Sequence, residues 1–461
     1  MSVLIEKPSP STIPVRCLEA TGLGAALAAA PAATRRWLQA VGFRAAPHTH
    51  ALVPGADGAL AEVWAGIARA DDPWLLASLP QALPAGRYRL AQPEGGPALS
   101  IEAAVASWQL GAYAFERYKP RARAAAVLVQ PASAAARAGA ALADAQARVR
   151  DLVNTPAEDL GPAELAAAAR ALAKAHGAKF RQVSGEALLE EGFPAVHAVG
   201  RASSRAPRLI ELRWGRPKDP LLVLVGKGVC FDSGGLDIKS PDGMRLMKKD
   251  MGGAANALGL AQLVMAAGLR VRLQLLIPAV DNAIAGNAYR PGDIFRTRSG
   301  LHIEIGNTDA EGRVILCDAL AYGAEGKPDL LIDLATLTGA ARVALGTQLP
   351  ALFSNRFELA RELMDASLAA GDPLWHMPLW RDYRPLIESS LGDIVNTGPS
   401  PQGGAINAAL FLDHFVPDSV PWLHVDLFAW NDRARPGRPV GGEAQSIRAL
   451  LGWLRQRYPA K

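Results

Sequence analysis

Three apolar runs decide the fold: Pro220-Leu-Leu-Val-Leu-Val225, Val271-Arg-Leu-Gln-Leu-Leu-Ile-Pro-Ala-Val280 and Asp329-Leu-Leu-Ile-Asp-Leu-Ala-Thr336. Each is short and shows little apolar–polar alternation, as expected of strands buried on both faces. Between them, residues 251–268 and 313–325 read as helices. Strand, helix, strand, helix, strand predicts an α/β domain with a mostly parallel central sheet and helices on both faces. Ligands in such folds gather beyond the carboxyl ends of the strands.

Working upstream, residues 133–152 are rich in Ala and Arg without Gly-Pro breaks and predict a long helix ending at Asn154-Thr155-Pro156. A second helix is expected after Gly161-Pro162, stopping at Gly177. Residues 1–130 are irregularly patterned, with Pro/Gly punctuation and no motif that looks catalytic. The chain's 461 residues exceed what one core usually organises. The expected division is a smaller N-terminal domain over 1–131, a linker helix over 132–155, and a larger α/β domain over 156–461.

The composition, 50% hydrophobic and 20% charged, excludes gross disorder. A net charge of +5 and a pI of about 9.1 tolerate anionic partners without arguing for nucleic acid as the main ligand. Cys17, Cys230 and Cys317 are too few and scattered for a disulfide framework, which fits a reducing, cytoplasmic compartment. The N-terminus lacks a basic segment followed by an apolar one, so no signal peptide is expected. The longest uncharged runs, 251–269 and 394–412, carry Gly, Asn, Gln and Pro, and are read as buried segments rather than membrane spans.

The chemistry-bearing residues cluster after the strands. Gly226-Lys227-Gly228-Val229-Cys230-Phe231-Asp232-Ser233-Gly234-Gly235 is followed by Asp237-Ile238-Lys239 and Met247-Lys248-Lys249-Asp250-Met251-Gly252-Gly253. Downstream stands Asn307-Thr308-Asp309-Ala310-Glu311-Gly312-Arg313. Taken singly, Asp250 and Asp309 read as helix caps, Asp232-Ser-Gly-Gly as a turn, and Lys227 or Lys239 as surface charge. Together they place four acids and several cations in three loops around one sheet. A lysine among Asp232, Asp250, Asp309 and Glu311 is either ion-paired or a neutral metal ligand. Carboxylates without clustered histidine or thiolate suit Mn²⁺ or Mg²⁺ and accommodate Zn²⁺. No HExxH occurs. Four acids exceed what one ion needs, which points to a two-metal centre with ions roughly 3.5–4 Å apart.

On VGKGVCFDSGG, DIK, MKKDMGGAAN, NTDAEGR and DLATLTGA, the sequence resembles the leucyl aminopeptidase family of dinuclear metallo-exopeptidases over roughly residues 150–455. The resemblance implies that Lys227, Asp232, Asp250, Asp309 and Glu311 are metal ligands, with Asp232 and Glu311 bridging. It makes Lys239 and Arg313 the catalytic pair. Two divalent ions, Mn²⁺ or Zn²⁺, would activate a bridging hydroxide, and one would take the substrate's free α-amine. Lys239 would stabilise the oxyanion, and Arg313 would hold bicarbonate as proton carrier. A macro-like N-terminal domain and a homohexamer are also implied.

Met247, Thr336, Leu337 and Gly339 match positions that shape the family's first side-chain pocket. A methionine wall favours leucine or other neutral residues. The stretch 438–443 does not repeat the small-residue pattern of that pocket's C-terminal wall, Lys249 and Asp237 receive no role, and Cys230 reads as packing. The implied function is cytoplasmic removal of neutral N-terminal residues from short peptides. A DNA-binding or regulatory role on this scaffold is possible but not favoured, because basic residues are dispersed. A dinuclear phosphoesterase is the third reading.

Overall fold

The computed structural model describes residues 4–5, 9, 11–93, 96–130 and 132–460. The domain boundary expected at Pro131, and residues 1–3 and 6–8 of the N-terminus read as lacking a signal peptide, lie outside them. The chain forms two compact units, Met1–Ala147 with Arg433–Val440, and Arg148–Asp432 with Gly441–Lys461. The expected division gave residues 433–440 to the larger domain. They instead pack within the first unit, where the Arg438 guanidinium lies 4.1 Å from the centre of the Trp74 ring.

The first unit is built on a six-stranded mixed sheet of β1 (Leu4–Ile5), β2 (Ile13–Leu18), β3 (His50–Pro54), β4 (Leu60–Gly66), β5 (Arg87–Ala91) and β6 (Val127–Val129), in the order β1-β6-β5-β2-β4-β3. Helix α1 (Ile101–Gly111), capped by the Ser100 hydroxyl, buries Trp108 and Val105 in a core shared with Tyr88.

The long Ala/Arg helix spans Ala134–Asn154 (α2), and the boundary between the units falls inside it. Helix α3 (Pro162–Ala175) follows, its first turn closed by Glu164 accepting from the Gly161 amide at 3.0 Å.

The second unit's sheet takes in β7 (Lys179–Ser184), β8 (Arg208–Trp214), β9 (Leu221–Gly226), β10 (Gly228–Asp232), β11 (Arg272–Asn282), β12 (Leu330–Ala335), β13 (Ala351–Ser354), β14 (Trp375–His376) and β15 (Trp422–Asp426). The order is β14-β13-β15-β12-β9-β11-β8-β7, with β10 also against β11. The centre, β15-β12-β9-β11, is parallel, while β8 and β13 run antiparallel to their inner neighbours. All three apolar runs are strands, and β9 and β12 are buried at every residue. Helices α4 (Gly252–Ala266) and α5 (Glu311–Glu325) are almost wholly buried, which is why no clean 3.6-residue stripe shows in their sequences. The uncharged runs 251–269 and 394–412 contribute buried helical turns, and among the described residues no helix is long and apolar enough to cross a membrane.

Helix α5 is anchored by Asp318, which accepts hydrogen bonds from the Ala195 and Arg298 amides, each at 2.8 Å. Burial pushes this carboxyl up to about 6. The folded value lies above the unfolded one, so the contribution of this group is fully present below the ordinary carboxylate pKa and is lost as pH rises through about 6. Asp318→Asn is therefore expected to change the pH dependence of urea unfolding, the wild-type-minus-variant difference shifting by on the order of 3 kcal/mol between about pH 4 and 7. Parallel stability curves for the two proteins would show that Asp318 does not titrate in this window.

Candidate metal centre and its cavity

Lys227 stands between β9 and β10, at the carboxyl end of the central strand. Its backbone is pinned on both sides, its amide donating to the Leu334 carbonyl at 3.0 Å and its carbonyl accepting from the Ala254 amide at 2.8 Å. The side chain passes over Gly312, where any Cβ would collide with the lysine methylenes. The ammonium lies 2.7 Å from Asp250 Oδ2, 2.9 Å from Glu311 Oε1, and donates to the Thr336 carbonyl at 2.9 Å. Here the ammonium is paired with both acids. Burial works against its charge, but Asp250, Glu311 and Asp232 outweigh it, and the pKa is raised.

A second lysine does the same across the site. Lys239 Nζ lies 2.9 Å from Asp232 Oδ2 and also pairs with Asp309 Oδ1. Burial opposes its charge, Asp232 and Asp309 favour it, and its pKa is raised. The turn that brings it there needs Gly234 and Gly235 at φ of +88° and +66°, a region side chains with a Cβ rarely adopt. Asp232 closes that turn by accepting from the Gly234 amide at 2.8 Å, so the turn reading holds, while its other oxygen faces Lys239.

The capping readings do not hold. Asp250 lies in a 3₁₀ turn (Met247–Met251) ahead of α4, whose N-cap is Met251 without a side-chain bond. The N-cap of α5 is Ala310, likewise uncapped by Asp309. The carboxylates point instead into the site, where Asp232, Asp309 and Glu311 each offer an oxygen within 4.8 Å of the others. Burial first, then the nearby Asp232 charge, raises the pKa of both Asp309 and Glu311. Four carboxylates against two ammonium groups leave a formal charge of −2 in a buried volume. Hard oxygen donors with excess negative charge fit divalent cations.

Arg313, in the first turn of α5, is buried, which lowers its pKa to about 10. Its Nη1 donates to the Asn396 carbonyl at 2.7 Å, while its Nε is buried without a partner. These groups open on a cavity of about 660 Å³. Met247, Thr336, Leu337 and Gly339 line it too, whereas residues 438–443 do not. Cys230 is buried at 1% exposure, as packing requires.

Residues 147–451 match the catalytic domain of the cytosol aminopeptidase family, and residues 13–131 match an aminopeptidase N-terminal domain. The chain belongs to the cytosol aminopeptidase family. A probable cytosol aminopeptidase of Syntrophotalea carbinolica is 48% identical over 316 residues, a match that spans 67% of this chain and 63% of that relative's length. One from Geotalea uraniireducens is 39% identical over 79% of this chain and 77% of its own. Among solved structures, the cytosol aminopeptidase of Coxiella burnetii superposes with a TM-score of 0.94 at 47% identity, covering 99% of both chains. The bottromycin maturation enzyme BotP in complex with Mn follows at 0.87 and 34%, covering 97% and 99%. Cytosol aminopeptidases are metal-dependent hydrolases, in keeping with this donor set.

Several residues that build this site escaped the sequence reading. Asp237, given no role above, latches two loops together, accepting from the Thr308 amide at 2.7 Å while its own amide donates to the Thr308 hydroxyl at 2.9 Å. Asn282, at the end of β11, donates to Asp232 Oδ1 at 2.9 Å and to the Thr308 carbonyl at 3.0 Å. Asn396 accepts from the Gly306 and Asn307 amides, and Asp426 from those of Leu337 and Thr338. The one legible hint was the polar pair that ends β11, Val280-Asp281-Asn282.

Proposed function

We propose that this chain is an aminopeptidase that removes the N-terminal residue, leucine or another neutral residue, from short peptides with a free N-terminus. The observation that carries the reading is the convergence of three carboxylates within 4.8 Å beside the buried Lys227 and the half-buried Lys239, on one cavity wall. Lys227, Asp232, Asp250, Asp309 and Glu311 would hold two divalent ions, Mn²⁺ or Zn²⁺. When bound, such ions supply Lewis acidity and a water nucleophile at neutral pH. Lys239, kept cationic by its carboxylate neighbours, donates a hydrogen bond to the scissile carbonyl oxygen as charge develops there. The free Nε of Arg313 supports an anion site, bicarbonate in this reading, for proton transfer. Met247 offers a flexible apolar wall to the departing residue's side chain. A cytoplasmic homohexamer is the assembly that goes with this reading.

The test is metal-stripped protein incubated with leucyl-, alanyl- and arginyl-p-nitroanilide, with and without Mn²⁺ or Zn²⁺, beside an N-acetylated control. Cleavage that returns with metal and vanishes on acetylation supports the proposal, and absence of turnover under every condition rejects it. Asp250→Ala is expected to weaken divalent-ion binding by more than about 100-fold, since partners one shell further out already cost 10–100-fold. Metal content after dialysis reads this directly, and wild-type occupancy in the variant would remove Asp250 from the ligand set.

A further inference from the structure

Lys249 is the cation the site does not use. It is 5% exposed and lines the cavity, yet among the described residues its ammonium has neither a hydrogen bond nor an ion pair. It lies over the face of Phe428, with Nζ 4.7 Å from the ring centre. Arg342 shares that ring at 5.0 Å, also lines the cavity, and likewise pairs with no carboxylate. The Arg342 guanidinium reaches over Gly339, where an added Cβ would sit 3.7 Å from Nη2.

The acids on the same wall are committed elsewhere. Asp250 takes Lys227 and the Thr336 hydroxyl, and Asp426 takes the Leu337 and Thr338 amides and the Thr338 hydroxyl. Asp232, Asp309 and Glu311 hold the two catalytic-wall lysines, and Asp242 is exposed. A buried ammonium without a counter-ion is costly, and the cost is offset when an anion arrives. Phe428 softens it through its ring face but offers no acceptor.

We propose that Lys249, assisted by Arg342, forms an acceptor for a carboxylate-bearing side chain, so that peptides beginning with glutamate are substrates alongside those beginning with leucine or methionine. This rests on the aminopeptidase reading above and extends its substrate class to an acidic residue. The glutamyl chain has two methylenes to lay against the apolar wall that includes Met247, and a carboxylate at their end for the two cations. The same charges exclude N-terminal lysine and arginine by like-charge repulsion.

The experiment compares kcat/KM for glutamyl-, glutaminyl-, leucyl- and lysyl-p-nitroanilide in the Mn²⁺-loaded wild-type protein, Lys249→Met and Arg342→Met. Glu and Gln differ only in charge and donor pattern, so their ratio isolates the proposed contact. Lys249→Met is expected to lower the Glu:Gln ratio at least about tenfold, and Arg342→Met by a smaller factor, while lysyl turnover rises in both. Thermal melting confirms that Lys249→Met is folded, and Arg342, being exposed, supplies the variant least able to perturb the fold. An unchanged Glu:Gln ratio in both variants overturns the proposal, as does a wild type that cleaves leucyl but not glutamyl anilide. A further arm compares leucylglycine with its amide, because a peptide's terminal carboxylate is the other anion that could reach Lys249. A shift confined to that pair also overturns it. Loss of all turnover, leucyl included, in the wild type rejects the aminopeptidase reading beneath it.

Discussion

Lys239→Ala is expected to lower kcat for leucyl-p-nitroanilide by roughly 10²–10³-fold while leaving bound metal at wild-type levels, the scale measured when one oxyanion donor is removed elsewhere. The ammonium is half-sheltered, its side chain 16% exposed, and is held by Asp232 and Asp309 at the cavity wall. Its raised pKa keeps it protonated, so it can donate to a developing negative charge at neutral pH. In the metal-free protein it also neutralises two carboxylates that divalent ions would need. Its removal therefore takes away a competing cation and has no reason to weaken metal binding. Metal analysis and kcat measured on one preparation separate the two roles. A variant that loses its ions together with its activity would mark Lys239 as a structural or ligating residue instead.

The second large effect concerns stability. Lys227→Met keeps the length of the side chain and deletes its charge, leaving Asp250 and Glu311 buried without their shared ammonium and the Thr336 carbonyl without its donor. Removing one partner of a buried ion pair costs about 3–5 kcal/mol. The variant is expected to lose that much in urea unfolding with EDTA present, the two residues being 3% and 1% exposed at Asp250 and Glu311. Added Mn²⁺ should restore part of the loss if the carboxylates still bind it, because a ligand that binds only the folded state stabilises it by mass action. A loss below about 1 kcal/mol in EDTA would mean that the two acids discharge by taking up protons at little cost.

Strands β9, β11 and β12 of the larger unit were legible because burial on both faces forces continuous apolar runs, and few other structures have that requirement at that length; the remaining strands of that sheet were not read. The first unit was opaque for the opposite reason. Its strands are short, carry mixed faces such as Arg-Tyr-Arg-Leu-Ala in β5, and are separated by loops rich in Pro and Gly. Residues 433–440 show the same limit, since their packing on Trp74 joins segments more than 350 residues apart that share no local pattern.

The sequence by itself determined that acids and lysines would meet at the carboxyl ends of three neighbouring strands, because β9, β11 and β12 are recognisable and parallel strands end on one side. That a Cβ would clash or strain at Gly234, Gly235 and Gly312 shows only in the folded chain. Which acid pairs with which lysine was decided only by the tertiary structure. Lys227 chose Asp250 and Glu311 and Lys239 chose Asp232 and Asp309 through the geometry of loops latched by Asp237, Asn282 and Asn396. So was the isolation of Lys249. Its neighbour in sequence, Asp250, points to another cation, and whether a charge is paired depends on direction in space, which adjacency along the chain does not fix.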